Sequence, residues 1–290
     1  MKSKLIELFL RGVSFFPRGA QRSLGNRIGR RLYKKGGRDF RITQTNLSVC
    51  FPDMSAEELE KLALESLQAT ATWGLETSSV WFRGESWRNK SVLSVENKEL
   101  FDAALASDSG LMLLIPHFGN WELAGMWASI FAPTTAIYRT PRMTALDGML
   151  RRVRDIGTTN MVPASSRGVM AVVKALGRGE MTVVLPDQEP ALEGGIFSSF
   201  FGVPALTMTL IHRLIVKTKP EVLIAYARRV DDGHIVGFQK PDQGIFEEDQ
   251  QLSVDAMNRS IEQLVLTAPE QYQWEYKRFR KQPEGSTGLY

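Results

Sequence analysis

The order of apolar and polar positions predicts a chain that begins helical and then alternates short strands with helices. Near the start, Leu5, Ile6, Leu8, Phe9, Leu10, Val13, Phe15 and Phe16 form an apolar stripe flanked by Lys2, Lys4, Arg11 and Arg18. That makeup predicts an amphipathic helix. Asn46 to Pro52 reads as a loop. Ser55 then opens a capping-box pattern with Glu58, and the helix that follows is expected to reach about Phe82. From Gly110 the pattern shortens. Leu111–Ile115 and Met181–Pro186 read as buried strands, Thr135–Tyr138 as another, and Glu221–Arg228 and His234–Gln239 as two more. Helices are expected over Trp121–Phe131, Ala145–Asp155, Ser166–Leu176 (stopped by Gly177), Leu206–Thr218 and Ser253–Ala268.

Strands apolar on both faces and separated by helices predict a sheet covered on two sides. The expected architecture is therefore α/β: one sandwich domain over residues 42–290, with a helical, basic extension over residues 1–41. The weakly charged run Ser109–Tyr138 is broken by Pro116 and Pro133 and by the polar segment HFGNWE, so two buried elements and a loop explain it better than a membrane span.

Composition narrows the picture modestly. At 290 residues, 43% hydrophobic and 23% charged, the chain is globular and has room for one large α/β domain or two small ones. Cys50 is the sole cysteine, which excludes an intramolecular disulfide and a zinc–thiolate cluster. No secretory signal pattern is read at the start. Charge is more telling. Twelve Lys/Arg face only Glu7 and Asp39 within Met1–Arg41, whereas the remainder carries 24 basic against 30 acidic residues. The basic segment suits nucleic acid or an anionic lipid surface, and the interleaved apolar stripe favours a helix lying on a membrane. A basic, solvated helix packed on the body is the plainer alternative. Arg11 interrupts the stripe too early for a spanning helix.

The candidate chemistry sits in His117–Glu122. His117 follows a strand and a proline, the place where open α/β sheets present reactive groups. Gly119 permits a tight backbone, and Asn120 is placed to cap the next helix. With His117 in the loop and Glu122 in the first helical turn, the loop is expected to fold the imidazole toward the carboxylate. His117 then acts as general base and Glu122 fixes its tautomer, with amides at the helix start held ready for an oxyanion. No nucleophile-elbow Ser or Cys is found, so direct transfer is favoured over a covalent enzyme intermediate. An isolated His-x4-Glu pair also arises by chance. His212 and His234 read as structural, and HExxH is absent.

IPHFGNWELAG resembles the H-x4-D/E block of the lysophospholipid-type acyltransferases, and more closely the late (secondary) lipid A lauroyl and myristoyl transferases. Supporting segments span most of the chain: Asn46-Leu47 through Cys50-Phe51-Pro52; Tyr138-Arg139 with Leu146-Asp147 and Arg154; Gly179-Glu180 with Pro186-Asp187-Gln188; Phe200 to Pro204; and Ala268 to Tyr272 with Trp274, Arg278-Phe279 and Pro283-Glu284-Gly285. Glu122 stands where glycerolipid relatives usually carry Asp, and the EGTR-type block is missing. Both departures point away from a lysophosphatidic acid acceptor.

The resemblance implies a glycerolipid-acyltransferase-like fold at the cytoplasmic face of an inner membrane. It also implies transfer of a fatty acyl chain from acyl carrier protein to a hydroxyl of a phosphorylated lipid A precursor, without metal, cofactor or nucleic acid. His117 and Glu122 are the implied catalytic pair, and Asn120, Arg139, Arg154, Asp187 and Gln188 the implied substrate contacts. Asp187 is expected to orient an arginine or the sugar. Arg142, Arg151 and Arg152 lie near the implied phosphate site, the last two reading better as a solvated face. Lys277, Arg278, Arg280 and Lys281 are candidates to steer the acidic carrier protein. A mannoside-type glycolipid acceptor and a non-catalytic lipid-binding protein are the rival readings.

Overall fold

The computed structural model describes residues 2–138, 146–155 and 159–290. Its helices are α1 (Lys2–Ser14), α2 (Arg18–Lys35), α3 (Arg38–Cys50), α4 (Ala56–Phe82), α5 (Gly84–Ser91), α6 (Lys98–Leu105), α7 (Trp121–Ala128), α8 (Asp147–Arg154), α9 (Ser166–Leu176), α10 (Leu210–Thr218) and α11 (Gln250–Leu266). Its strands are β1 (Val92–Glu96), β2 (Leu111–Leu114), β3 (Thr134–Tyr138), β4 (Thr159–Pro163), β5 (Met181–Val184), β6 (Gly195–Phe200), β7 (Val203–Met208), β8 (Glu221–Val230) and β9 (Gly233–Gln239).

Seven strands form one sheet in the order β1-β9-β8-β2-β5-β3-β4, with β8–β9 its antiparallel pair and the other neighbours parallel. The period-2 alternation of side chains divides the core in two. Met112, Leu114, Val222, Ile224 and Tyr226 face one cluster, which α9, α10 and α11 cover. Leu111, Leu113, Leu223, Ala225 and Ala227 face the other, with α6 and α7. The mostly parallel sheet with helices on both faces is as the sequence predicts.

Helix α4 begins as read: Ser55 and Glu58 close a reciprocal capping box, and the helix ends at Phe82. Two local readings are corrected. Asn46–Pro52 is not a loop, because α3 continues through Cys50. Asn46 is a weak helix former, but its buried amide donates to the carbonyls of Trp274 and Tyr276, and that tertiary pairing outweighs propensity. Leu206–Thr218 is not one helix. Phe201 and Gly202 both adopt positive φ and reverse the chain, so Val203–Met208 pairs antiparallel with β6 before α10 starts.

The N-terminal helices pack on α4. Gly25 and Gly29 of α2 press against the backbone of Thr72 and Gln68, where a Cβ would lie within 2.6 Å of a main-chain atom. Buried Glu76 of α4 gathers Arg22 of α2 at 2.9 Å and Arg229 of β8 at 2.7 Å, with His234 of β9 at 3.4 Å. Burial raises the carboxyl, but Arg229 and His234 outweigh it and hold the pKa well below the ordinary range. Stability from Glu76 is therefore complete above its unfolded value of about 4.3 and fades as pH falls toward the depressed folded value. Glu76→Gln leaves two guanidinium groups uncompensated and is expected to cost about 3 kcal/mol at pH 7, or roughly 6–12 °C in Tm. The gap between wild type and variant should narrow on acidification. Equal melting temperatures at pH 7 refute this assignment.

Candidate active site

Two neighbouring parallel strands deliver the site. β2 and β5 pair Leu111 with Met181 through Leu114 with Val184, and each runs on through an aliphatic residue and a proline. His117 and Asp187 therefore leave adjacent strands at the same level. The imidazole Nδ1 lies 2.8 Å from Asp187 Oδ1, and the His117 backbone N–H donates to Oδ2 at 2.8 Å. Asp187 is buried; burial raises its carboxyl, but the His117 ring, both hydrogen bonds and Arg278 together hold it below the ordinary value. The other imidazole nitrogen, Nε2, faces the Gln188 amide nitrogen at 3.1 Å.

The loop that carries His117 is clamped from both sides. Gln273 N–H donates to the His117 carbonyl, Gly119 N–H to Gln271 O at 2.9 Å, and Asn120 N–H to Ala227 O at 2.8 Å. Gly119 has φ +57°, and a Cβ there would sit 2.2 Å from Ala227 O. Asn120 caps α7 by accepting from Leu123 N–H, as read from the sequence, and is fully buried. Its side-chain Nδ2 has no partner among the described residues. Gly119, Asn120 and Leu123 amides are thus already used at this helix start, which leaves those of Trp121 and Glu122.

Glu122 does not orient the imidazole. Its carboxylate pairs with the Arg154 guanidinium, with Arg154 Nε 3.2 Å from Oε2, and accepts from Trp81 Nε1 at 3.2 Å. The expected fold-back fails because Asp187 already occupies Nδ1, while α7 directs Glu122 toward α4 and α8. Asp187, expected on an arginine or sugar, is the imidazole's carboxylate instead. The sequence did hold a clue: LMLLIPH and MTVVLPD share a strand–proline–polar pattern. Only strand adjacency shows that these two ends meet.

Several aromatic and buried residues were not singled out as site residues. The Trp121 ring lies 4.9 Å from the His117 ring and stacks on Trp73 at 3.9 Å. Tyr272 is buried beside Asp187, and burial followed by that carboxylate's charge pushes its pKa well above the ordinary value. Tyr138 donates to Asp147 at 2.8 Å, and its pKa is pushed up to about 12 by burial and that bond. Arg151 and Arg152 are solvated, as read, with Arg152 reaching Glu7 of α1 at 2.9 Å. Arg139 and Arg142 lie outside the described residues.

Of the four C-terminal cations, Lys277 lies over the Tyr290 ring and the other three are engaged within the chain. Arg278 is buried, donating to Leu206 O and Thr207 Oγ1 at 2.7 Å, and Arg280 pairs with buried Glu189 at 3.0 Å. Lys281 Nζ donates to Pro190 O at 2.9 Å. These groups brace the C-terminal segment against the β6–β7 hairpin and the loop after β5. His212 and His234 sit away from this centre, and burial lowers the pKa of each. Among the described residues no group of three or more His, Cys, Asp or Glu side chains converges to hold a metal ion.

A family model described as bacterial lipid A biosynthesis acyltransferase matches residues 4–281, nearly the whole chain and every element of this site. The chain belongs to that family. Among its relatives is the lipid A biosynthesis palmitoleoyltransferase of Escherichia coli (strain K12), 29% identical over 271 residues that cover 92% of this chain and 87% of that protein. The lipid A biosynthesis lauroyltransferase of the same organism is 25% identical over 275 residues, with the same coverage. A lipid A biosynthesis acyltransferase of Haemophilus influenzae (strain ATCC 51907 / DSM 11121 / KW20 / Rd) is 26% identical over 258 residues, 88% of this chain and 81% of that protein. This member of the lipid A acyltransferases therefore carries its His-x4-Glu segment between two strand ends, with an Asp from the second strand on the imidazole. None of its described helices is long and apolar enough to cross a membrane.

Proposed function

We propose that this lipid A acyltransferase moves a fatty acyl chain from acyl carrier protein to a hydroxyl of a phosphorylated lipid A precursor, with His117 as general base. The observation that carries the reading is the 2.8 Å contact between His117 Nδ1 and buried, ionised Asp187. Asp187 keeps the Nδ1–H tautomer, so the Nε2 lone pair takes the proton of the acceptor hydroxyl. The acceptor oxygen attacks the thioester carbonyl, and the C–S bond breaks as the tetrahedral intermediate collapses. The imidazolium returns its proton to the departing thiolate. Gln188, which meets Nε2 at 3.1 Å, holds the lone pair until the acceptor hydroxyl takes its place.

Glu122 has a different task in this reading. Paired with Arg154 and bonded to Trp81, it fixes a guanidinium beside the catalytic loop, where a phosphorylated acceptor needs a bidentate partner. Gln188, beside the imidazole, is assigned to the substrate, whereas fully buried Asn120 shapes the loop as the cap of α7. Glu122→Gln is therefore expected to raise KM for the acceptor about tenfold or more, as Arg154 loses the carboxylate that holds it, while the pH–rate profile keeps its midpoint. A shifted midpoint would return Glu122 to the imidazole.

The membrane is approached through α1. Leu5, Leu8, Phe9, Phe15 and Phe16 are exposed, and Glu7 of the same helix ties it to Arg152 on α8, next to Arg154. An apolar helix seated on the inner membrane's cytoplasmic leaflet brings the lipid acceptor to the side of the molecule that carries α8.

One assay tests the activity. Purified protein is incubated with lauroyl-, myristoyl- and palmitoleoyl-carrier proteins and a tetra-acylated lipid A precursor, with a mannoside glycolipid in parallel. The expected result is one added acyl mass on the lipid A precursor. Transfer to the mannoside alone selects the rival acceptor, and no transfer to either rejects the proposal.

A further inference from the structure

Helix α2 carries a polar groove that the catalytic chemistry does not use. It has a volume of about 380 Å³ and is lined by Gly19, Arg22, Ser23, Asn26, Arg27 and Arg30. These positions recur at helical spacing and so form one continuous strip. The strip flanks the face that Gln21, Gly25 and Gly29 bury on α4. Gln68 of α4 donates to the Asn26 carbonyl at 3.3 Å and holds α2 at this level.

The charge in the groove is one-sided. No carboxylate lines it, and α2 contains seven Lys/Arg without an acidic residue. Arg22 is spent on Glu76 and on the carbonyls of Asp231 and Gly233. Arg27 and Arg30 are exposed and, among the described residues, pair with no carboxylate. The acidic turn Asp231-Asp232 sits at the Arg18 and Arg22 end, one to two helical turns short of them. Two unpaired guanidinium groups beside a serine hydroxyl and an asparagine amide on one exposed strip suit a phosphate ester better than a carboxylate protein surface. The strip belongs to one helix and offers two unpaired cations, too small an area for a docked acidic protein.

We propose that this groove binds the phosphate of an anionic lipid headgroup, at a site separate from the catalytic centre. The proposal rests on the membrane attachment assigned to α1, because only Ser14 to Pro17 separate the apolar residues of α1 from the first turn of α2. An apolar helix followed by cations is a two-part membrane contact: the first part inserts, and the second selects the headgroup. Ile28 is the single large apolar residue exposed on α2, so the groove itself recognises charge without inserting.

The test uses the full-length protein with vesicles of phosphatidylcholine alone or with phosphatidylglycerol, and in parallel soluble dihexanoyl phosphatidylglycerol and inorganic phosphate. Arg27→Gln/Arg30→Gln is expected to lower partitioning onto the phosphatidylglycerol vesicles about thirtyfold and leave the phosphatidylcholine component intact. It should also abolish binding of the soluble lipid. Arg167→Gln/Lys174→Gln removes the same charge from exposed α9 positions and should change neither. Leu8→Ser/Phe9→Ser should weaken partitioning onto both vesicles while sparing the soluble lipid, which separates failure of the anchor from failure of the groove. An equal loss in the α9 control, unchanged binding in the groove variant, or inorganic phosphate binding as tightly as the soluble lipid would overturn the proposal.

Discussion

His117→Ala is expected to reduce turnover by about 10⁴-fold with the fold retained, the melting temperature falling by only a few degrees because buried Asp187 keeps its bond from the residue 117 backbone N–H. The ring is partly exposed at the end of β2, and its removal empties no core position. What is lost is the base that takes the hydroxyl proton and the acid that returns it to the thiolate. Asp187→Asn should cost about 10³-fold, because an amide no longer enforces the Nδ1–H tautomer or supports the imidazolium. The two losses act on one unit, so the double variant should be scarcely slower than His117→Ala alone. Steady-state rates with a fixed acyl donor, measured beside circular dichroism, check all three. Independent, multiplying effects contradict a coupled pair. Asp187 stays ionised across the neutral range because its carboxyl is held below the ordinary value. Its contribution to folding is complete above the ordinary carboxyl value and is lost as pH falls from there through the lower folded value.

Gly119→Ala should be severely damaging for so small a substitution. A Cβ at Gly119 would lie 2.2 Å from Ala227 O, which also accepts the Asn120 N–H, and the residue's φ of +57° disfavours any L side chain. Backbone strain and overpacking each cost about 1–3 kcal/mol, so a loss of about 3–5 kcal/mol is expected. Relief requires the loop to move off β8, and His117 moves with it; a displacement near 1 Å costs about 10²-fold in rate. Stability and activity should therefore fall together. Gly74→Ala is the contrasting case: it is exposed within α4, with open space at its Cβ position. There the same change should stabilise by about 0.5–1 kcal/mol. Thermal melts of the two variants test the contrast, and similar shifts in both would contradict it.

Local pattern was enough to place β2, β5, β8, β9, α4 and α9, because each is bounded by its own capping residue, glycine or proline. It was also enough to find His117, since a His after a strand and a proline marks a sheet's carboxyl edge without reference to any partner. The capping role of Asn120 follows from one residue and its next three. Where the reading failed, the deciding partner lay far along the chain. Asn46 is helical because Trp274 and Tyr276 accept its amide from 228 and 230 residues away. Val203–Met208 is a strand because β6 lies beside it, and Arg278 is buried because that same hairpin accepts its hydrogen bonds.

The same division runs through the catalytic centre. Local pattern alone singled out His117 as the candidate base, placed it after a buried strand, and set a carboxylate five positions on. It left open which carboxylate the ring would meet, because hydrogen bonding is decided at 2.8 Å and sequence spacing does not resolve that distance. The tertiary structure decided it by pairing β2 with β5 in register, which sets Asp187 on Nδ1 and leaves Glu122 to Arg154.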